Sequence, residues 1–185
     1  MSGLRFLVLV WLALPALAAA SAGLLQDGTV LLLRHAQAPG VGDPPQFRLG
    51  DCTTQRNLDE GGRAQARRLG ERLRQQNVRV AAVWTSRWCR ARETAALAFP
   101  DLPASEQPAF DSFFGERRER SPQQQREAAA LLARWQGPGV LVVATHQVNI
   151  TALTGMTLDS GDGVVVRPEH GRLTVLGRYP EPPAR

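Results

Sequence analysis

The sequence predicts an α/β protein of three layers, in which a mainly parallel β-sheet is flanked by helices. Short apolar runs typical of buried strands alternate along the chain with longer segments of helical periodicity, as expected of a parallel sheet with crossover helices. The composition agrees with a globular domain, because 43% of the 185 residues are hydrophobic and 21% are charged.

The first 22 residues have the pattern of a secretory signal peptide. Arg5 supplies a positive charge, residues 6–17 are almost entirely apolar, and residues 18–22 are small. The apolar run is shorter than the roughly 20 residues that a membrane-spanning helix needs. We therefore expect cleavage between Ala20 and Ala22, a periplasmic or secreted protein without stable membrane insertion, and a folded domain over 23–178.

The first half of the domain is predicted to contain two strands and two helices. The first strand ends in Arg34-His35, and a loop rich in Gly and Pro follows it. Asn57 is a candidate cap for the first helix. The predicted elements are strands over 29–33 and 78–85 and helices over 58–76 and 88–97.

The second half is predicted to add two helices and three strands. Residues 100–120 contain several prolines and are expected to be irregular, and Ser121-Pro122 has the cap and first-turn residues of a helix. Residues 179–185 are expected to form a disordered tail. The predicted elements are helices over 121–136 and 148–153 and strands over 140–144, 161–166 and 173–178.

The positive charge of the chain comes entirely from arginine. The net charge is +5, and all 22 basic residues are Arg. The densest cluster, Arg117, Arg118 and Arg120, alternates with Glu116 and Glu119, and no zinc-finger or helix-turn-helix pattern accompanies it. We therefore expect a small phosphorylated substrate as the partner and no nucleic acid.

The two cysteines allow two interpretations. In an oxidising compartment, Cys52 and Cys89 could form a disulfide that pins the loop after the first strand beside Arg90. Two separate buried thiols are the alternative, and the sequence does not favour either. The two cysteines and the three histidines lack metal-ligand spacing, so we expect no metal and no other cofactor.

Polar residues follow three predicted strands at the points where the strands end. They are Arg34-His35, Ser86-Arg87 with Arg90 one turn later, and Thr145-His146. Because parallel strands bring their carboxyl ends to one edge of a sheet, we expect these residues to meet in one crevice. Two guanidinium groups and two imidazoles suit a dianion, above all phosphate, and a neutral imidazole there can attack phosphorus.

These motifs resemble those of the histidine phosphatase superfamily, also called phosphoglycerate mutase-like. Its pattern is a strand followed by Arg-His-Gly, then Ser-x-x-x-Arg-Ala-x-x-Thr-Ala, then a late strand that ends in His. The matching segments are residues 31–36, 86–95 and 143–146. Ala36 stands where the family has Gly, and Gln147 stands where the acid phosphatase and phytase branch has Asp. The size and the predicted export are most similar to a small exported branch.

The resemblance implies roles for individual residues. His35 would be the nucleophile that forms phosphohistidine, Arg34 and Arg90 would clamp the phosphoryl group, and His146 would stabilise the transition state. The resemblance implies no metal.

The leaving alcohol needs a proton donor. The family often uses a Glu three residues before the Phe of a Phe-Gly pair, and Phe114-Gly115 puts Asp111 in that place. Glu116 is the competing candidate, and it is otherwise expected to bind substrate together with Arg56 and Gln147.

The sequence therefore predicts a metal-independent phosphomonoesterase that acts through phosphohistidine at His35 on a small or envelope-associated phosphate ester. The alternative is a non-catalytic envelope protein that binds phosphorylated glycans or other anions in the same pocket. The combination of His35, Arg34, Arg90 and His146 favours the enzyme.

Overall fold

The computed structural model describes residues 23–115 and 121–180, so the predicted signal peptide, Glu116 and residues 181–185 lie outside the described residues. The strands are β1 Val30–Arg34, β2 Val80–Thr85, β3 Ala104–Glu106, β4 Val140–Thr145, β5 Gly163–Glu169 and β6 Arg172–Tyr179. The helices are α1 Glu60–Gln75, α2 Cys89–Ala98, α3 Ser121–Ala133 and α4 Gln147–Thr154. Short 3₁₀ turns lie at Cys52–Thr54 and Pro108–Phe110.

The strands form one sheet in the order β3-β2-β4-β1-β5-β6. The first four strands in this order are parallel, whereas β5 and β6 form an antiparallel hairpin at one edge. The predicted three-layer α/β fold is confirmed, and its parallel part contains the three strands that lead to the candidate site. The sequence did not predict β3, because this strand has only three residues and all of them are exposed.

Both faces of the sheet are covered by helices. Leu31 and Leu33 of β1 belong to a core cluster that includes apolar residues of α1 and α2. Val30 and Leu32 face the other way, into a cluster that includes residues of α3 and α4. Burial on both faces explains why β1 is a continuous apolar run rather than an alternating one.

Helix α1 begins two residues later than the predicted cap implied. Asp59 caps it, and its carboxylate accepts a 2.7 Å hydrogen bond from the Gly62 backbone N–H. A Cβ atom on Gly62 would lie 2.0 Å from the carbonyl oxygen of Gln37. The absence of a side chain there lets the start of α1 pack against the segment that follows His35.

The two cysteines form a disulfide across 37 residues. Gln55, three residues after Cys52, also accepts a 3.0 Å hydrogen bond from the backbone N–H of Cys89. The loop after β1 is therefore attached to the first residue of α2, directly before Arg90.

Tyr179 was predicted to be the first residue of a disordered tail, but it belongs to the last strand. This residue ends β6, is fully buried, and donates a 2.6 Å hydrogen bond from its hydroxyl to Gln76 Oε1. The guanidinium of Arg72 lies 4.3 Å from its ring centroid. A single aromatic residue next to prolines gives no periodic pattern, so the sequence did not predict that Tyr179 is buried.

Candidate active site

Sheet register brings the two candidate histidines together. Arg34 and Thr145 are paired residues of β1 and β4, and the His35 backbone N–H donates a 2.9 Å hydrogen bond to the Thr145 carbonyl. His35 and His146 each directly follow a paired strand end, and their ring centroids lie 5.4 Å apart. The predicted convergence at the carboxyl edge of the parallel strands is therefore present.

The hydrogen bonds of His35 assign its tautomer. Its Nδ1 lies 2.8 Å from the Ala36 carbonyl oxygen, which can only accept, so Nδ1 carries the hydrogen and Nε2 carries the lone pair. The Nε–H of Arg90 donates to that Nε2 across 3.2 Å. Burial, followed by the charge of Arg90, lowers the pKa of His35 to about 3. His35 is therefore a neutral imidazole at physiological pH, the form that a nucleophile requires.

Arg90, the second residue of α2, is almost completely buried beside His35. Its guanidinium forms a salt bridge with Asp43, with Nη1 2.7 Å from Oδ1. Burial alone would raise the pKa of Asp43, but hydrogen bonds from Arg90 and Trp88 and the charge of Arg90 outweigh it and keep the pKa below its usual value. Asp43 is therefore an ionised carboxylate inside a basic site.

Two buried nitrogen atoms at the site have no hydrogen-bond partner among the described residues. They are Arg34 Nε and His146 Nδ1. The other ring nitrogen of His146, Nε2, lies 2.8 Å from the hydroxyl oxygen of Ser86. Burial and then the charge of Arg90 hold the pKa of His146 well below its usual value. Buried polar atoms normally have partners, so this pair indicates a place for a ligand that carries acceptor oxygens.

A cleft of about 290 Å³ connects these groups. Its volume is at the small end of the range for ligand sites. The predicted site residues that line it are Arg34, His35, Arg56, Arg90, His146 and Gln147. Burial, and next the charge of Arg90, lowers the pKa of Arg56 to about 10, which leaves this residue positively charged at physiological pH.

Gln147 lines the cleft, but other residues of the chain occupy its amide. The nitrogen donates to Thr151 Oγ1 and to the Met156 carbonyl, and the oxygen accepts from the Leu158 backbone N–H. The side chain therefore holds the segment after α4 in place, and the predicted substrate contact would require it to give up these bonds.

Asp111 does not line the cleft. Its carboxylate accepts from the Arg87 side chain, with Oδ2 2.7 Å from Nε, and from the Arg87 backbone N–H at 2.9 Å. Its Oδ1 lies 3.4 Å from the Ser86 hydroxyl, so Asp111 reaches His146 only through Ser86. Both oxygens of this carboxylate are therefore engaged by Arg87, outside the cleft that would hold the leaving alcohol. The competing candidate, Glu116, lies outside the described residues.

Sequence reasoning missed Asp43 and gave Ser86 no role of its own. Asp43 lies between Gly42 and Pro44, where an Asp is ordinarily explained as a turn residue. Its partners, Trp88 and Arg90, are more than 40 residues away in the sequence, and no periodic pattern predicts such contacts. Ser86 was identified as part of a motif, and its hydrogen bond to His146 appears only in the folded chain.

A second cleft, of about 620 Å³, is larger but less suited to chemistry. Its charged side chains are paired with one another, Arg63 with Glu93 and Arg92 with Glu106. Within residues 23–115 and 121–180, no group of three or more His, Cys, Asp or Glu side chains could hold a metal ion. None of the helices that the structure describes is long and apolar enough to cross a membrane.

Solved structures with the same fold include several phosphatases. The alpha-ribazole phosphatase from Shigella flexneri is 19% identical, with a TM-score of 0.63 over 85% of this chain and 98% of that chain. A mycobacterial glucosyl-3-phosphoglycerate phosphatase is 16% identical, with a TM-score of 0.63 over 84% and 100% of the two chains. The protein histidine phosphatase SixA, solved with tungstate, is 20% identical, with a TM-score of 0.55 over 83% and 97%.

At these identities the structural likeness establishes the fold, and no curated protein matches the sequence. The family assignment comes from a model described as histidine phosphatase superfamily (branch 1), which matches residues 30–142. That match begins at β1, spans His35 and Arg90, and covers more than half of the chain. This chain therefore belongs to the histidine phosphatase superfamily.

Proposed function

We propose that this protein is a phosphomonoesterase that works through a phosphohistidine intermediate on His35. The observation that carries the proposal is the neutral His35, whose Nε2 lone pair lies among arginines, beside two buried nitrogens that find no partner in the part of the chain that the structure describes. A phosphoryl group supplies the acceptor oxygens that Arg34 Nε lacks, and it places phosphorus within reach of a nucleophilic nitrogen.

The reaction takes place in two displacements. In the first, Nε2 of His35 bonds to phosphorus while the bond from phosphorus to the ester oxygen breaks, and the leaving alcohol takes a proton from a general acid. In the second, water gives a proton to the conjugate base of that acid as its oxygen attacks phosphorus, the bond to Nε2 breaks, and inorganic phosphate leaves. Arg34 and Arg90 stabilise the charge that builds up on the equatorial oxygens.

His146 acts as a donor in this scheme. The one hydrogen of the Ser86 hydroxyl has two acceptors in reach, His146 Nε2 at 2.8 Å and Asp111 Oδ1 at 3.4 Å. If the hydroxyl donates to the nearer His146 Nε2, the hydrogen of the neutral ring is on Nδ1, the buried atom without a partner among the described residues. Nδ1–H then donates to a phosphoryl oxygen in the transition state.

The activity is tested by phosphate release from an aryl phosphate in the presence of a chelator. Wild type is compared with His35→Ala and with His170→Ala, which removes an exposed histidine in the turn between β5 and β6. We expect activity in the wild type and in His170→Ala and none in His35→Ala, because only His35 supplies the nucleophile. Full activity in His35→Ala, or activity that disappears with the chelator, would contradict the mechanism. Phosphate binding without turnover would instead indicate the non-catalytic binding protein.

We propose Glu116 as the general acid, because Asp111 is held by Arg87. Phe114 lines the cleft, and Glu116 follows it by two residues in the chain. Glu116→Gln should slow hydrolysis of alkyl phosphates, whose alkoxide needs a proton, much more than hydrolysis of aryl phosphates. Asp111→Asn is the matched comparison, and a loss confined to alkyl phosphates in that variant would assign the role to Asp111.

The substrate is proposed to be a small or envelope-associated phosphate ester in the periplasm or outside the cell. The Cys52–Cys89 disulfide supports export, because such bonds persist in oxidising compartments. Cell fractionation of the full-length chain, with mass analysis of the secreted form, tests export and cleavage after residues 20–22 together.

A further inference from the structure

Asp43 is the one carboxylate among the described residues that line the cleft. Its side chain is 6% exposed, and that of its partner Arg90 is 3% exposed. A negative charge beside a site for a dianion costs binding energy, so its presence needs a reason beyond charge balance.

Asp43 and His35 contact different parts of the Arg90 guanidinium. Nη1 donates to Asp43 Oδ1 at 2.7 Å, Nη2 lies 3.4 Å from Asp43 Oδ2, and Nε donates to His35 Nε2 at 3.2 Å. Because a guanidinium is planar and rigid, holding its Nη atoms fixes the direction of the Nε–H bond. That bond is directed at the nitrogen to which phosphorus would be attached.

Asp43 is itself held in place from two further sides. The indole N–H of Trp88 donates to Oδ2 at 2.8 Å, and the Arg56 backbone N–H donates to Oδ1 at 3.3 Å. The Arg56 side chain also donates through Nε to the Gly42 carbonyl, directly before Asp43, at 2.9 Å. A carboxylate with this many donors is a fixed reference point rather than a mobile surface partner.

We propose that Asp43 is a positioning residue that orients Arg90, so that its Nε edge meets the phosphoryl group as that group bonds to His35. This inference rests on the proposed phosphatase function. The competing arrangement is a carboxylate that occupies the place of the substrate phosphate and has to leave before substrate binds.

The first test compares kinetics of Asp43→Asn and Asp43→Ala with wild type on an aryl phosphate. We expect kcat to fall about 100-fold in Asp43→Ala, because a misplaced catalytic group costs about that much, and to fall less in Asp43→Asn, which keeps one acceptor oxygen. An unchanged or raised kcat in both variants would overturn the proposal and favour the competing arrangement.

The second test is a double-mutant cycle with Arg90→Ala, which separates positioning from a general structural role. If Asp43 acts through Arg90, Asp43→Ala should lower kcat/KM hardly at all once Arg90 is absent. Additive losses would overturn the proposal. Arg90→Ala leaves Asp43 buried without its partner, so the cycle is repeated with Arg90→Lys, which keeps the positive charge.

Asp51→Asn is the matched control within the same loop. The Asp51 carboxylate accepts hydrogen bonds from Arg48 and Thr53 of the same loop, so this variant weakens the loop and leaves the Asp43–Arg90 salt bridge in place. We expect its kcat to stay within about twofold of wild type. A loss equal to that of Asp43→Asn would show that loop order, not orientation of Arg90, is what Asp43 provides.

The same double-mutant cycle is also measured as the Kd for inorganic phosphate, by calorimetry. This measurement does not depend on turnover. If wild type binds phosphate but releases none from esters, the proposed function fails, and the cycle still tests Asp43. Coupling through Arg90 predicts that the effect of Asp43→Ala on the phosphate Kd disappears in the Arg90→Ala background. A carboxylate that merely repels phosphate would act equally in both backgrounds, and that result would overturn the proposal.

Discussion

The two walls of the cleft are held in place by different means. The sheet wall consists of Arg34, His35, Arg90 and His146. Arg34, His35 and His146 lie at or directly after the ends of paired strands, and Arg90 lies in the first turn of α2, so regular secondary structure sets their geometry. The loop wall, residues 38–56, is held by side-chain hydrogen bonds from Arg56 and by the disulfide. The reactive groups therefore lie on regular secondary structure, and the loop orients one of them, Arg90, through Asp43.

The largest difference between the walls is expected for their two arginines. Arg90→Ala should lower kcat/KM by about 10³-fold, because it removes a donor aimed at the transferring group. Arg56→Ala should lower kcat/KM only roughly tenfold, because the Arg56 side chain donates mainly to carbonyl groups of its own loop. Steady-state kinetics on an aryl phosphate measures both changes.

Arg90→Lys controls for the loss of charge in this comparison. It keeps one positive charge but not the planar fork, so we expect it to remain closer to Arg90→Ala than to wild type. Equal losses of kcat/KM in Arg56→Ala and Arg90→Ala would contradict the expected difference between the two walls.

Removing the crosslink tests the loop wall as a whole. Replacing Cys52 and Cys89 together by Ser frees a 37-residue segment and should lower the free energy of unfolding by about 4 kcal/mol. The corresponding fall in Tm is roughly 10 °C for a domain of this size. Thermal unfolding of the purified variant measures it.

Activity of the same variant at 20 °C shows how far the site depends on the crosslink. The Asp43–Arg90 pair and the Gln55 hydrogen bond to Cys89 remain, so kcat/KM should stay within about tenfold of wild type. Complete inactivation of a folded variant would mean that the disulfide, rather than these polar contacts, sets the loop geometry.

The same contrast explains what the sequence could predict. β1 and β4 are mainly apolar runs, each followed directly by a histidine, and parallel pairing brings those ends together, so the two histidines could be placed from local pattern and one packing rule. Asp43 has no such pattern, because its place depends on Trp88 and Arg90 from a distant helix start. The prediction that Asn57 caps α1 was wrong because its partner, too, is set by the folded loop. The Asn57 amide donates to the Cys52 carbonyl, and Asp59 caps α1.

The sheet wall also predicts a pH dependence of stability. His35 and His146 are neutral and buried, with pKa values lowered by burial first, to about 3 for His35. Below pH 6.5 the unfolded chain takes up protons that the folded chain does not, so stability falls as pH falls towards 3. The slope is about 1.4 kcal/mol per pH unit for each histidine.

Denaturant unfolding between pH 6 and pH 4.5 in a buffer without phosphate measures this slope. His35→Gln should reduce the slope by the contribution of one histidine, about 1.4 kcal/mol per pH unit. Tyr179→Phe is the control, because it loses the hydrogen bond to Gln76 without removing a group that titrates in this range. An unchanged slope in His35→Gln would mean that His35 is protonated in the folded protein.

The smallest expected effect concerns the mouth of the cleft, where Val41 of the loop wall and the separate residue Phe114 expose apolar surface. Val41 is 88% exposed and Phe114 is 45% exposed, and both line the cleft. The Phe114 ring lies against Gly42, since a Cβ atom built on that glycine would be 3.8 Å from Phe114 Cε1. Phe114→Ser should therefore lower kcat/KM for esters with a long apolar alcohol by roughly fivefold, about 1 kcal/mol of contact for a half-exposed ring.

Substrates of two kinds separate this contact from the chemistry below it. Small phosphate esters lack an apolar alcohol that could contact the ring, so Phe114→Ser should leave their kcat/KM unchanged. Val175→Ser, which changes an exposed residue of β6 that does not line the cleft, should leave both kinds unchanged. Equal losses on small and long esters in Phe114→Ser would mean that the ring supports the phosphoryl site itself, and a residue outside the sheet wall would then share the catalytic role assigned here to that wall.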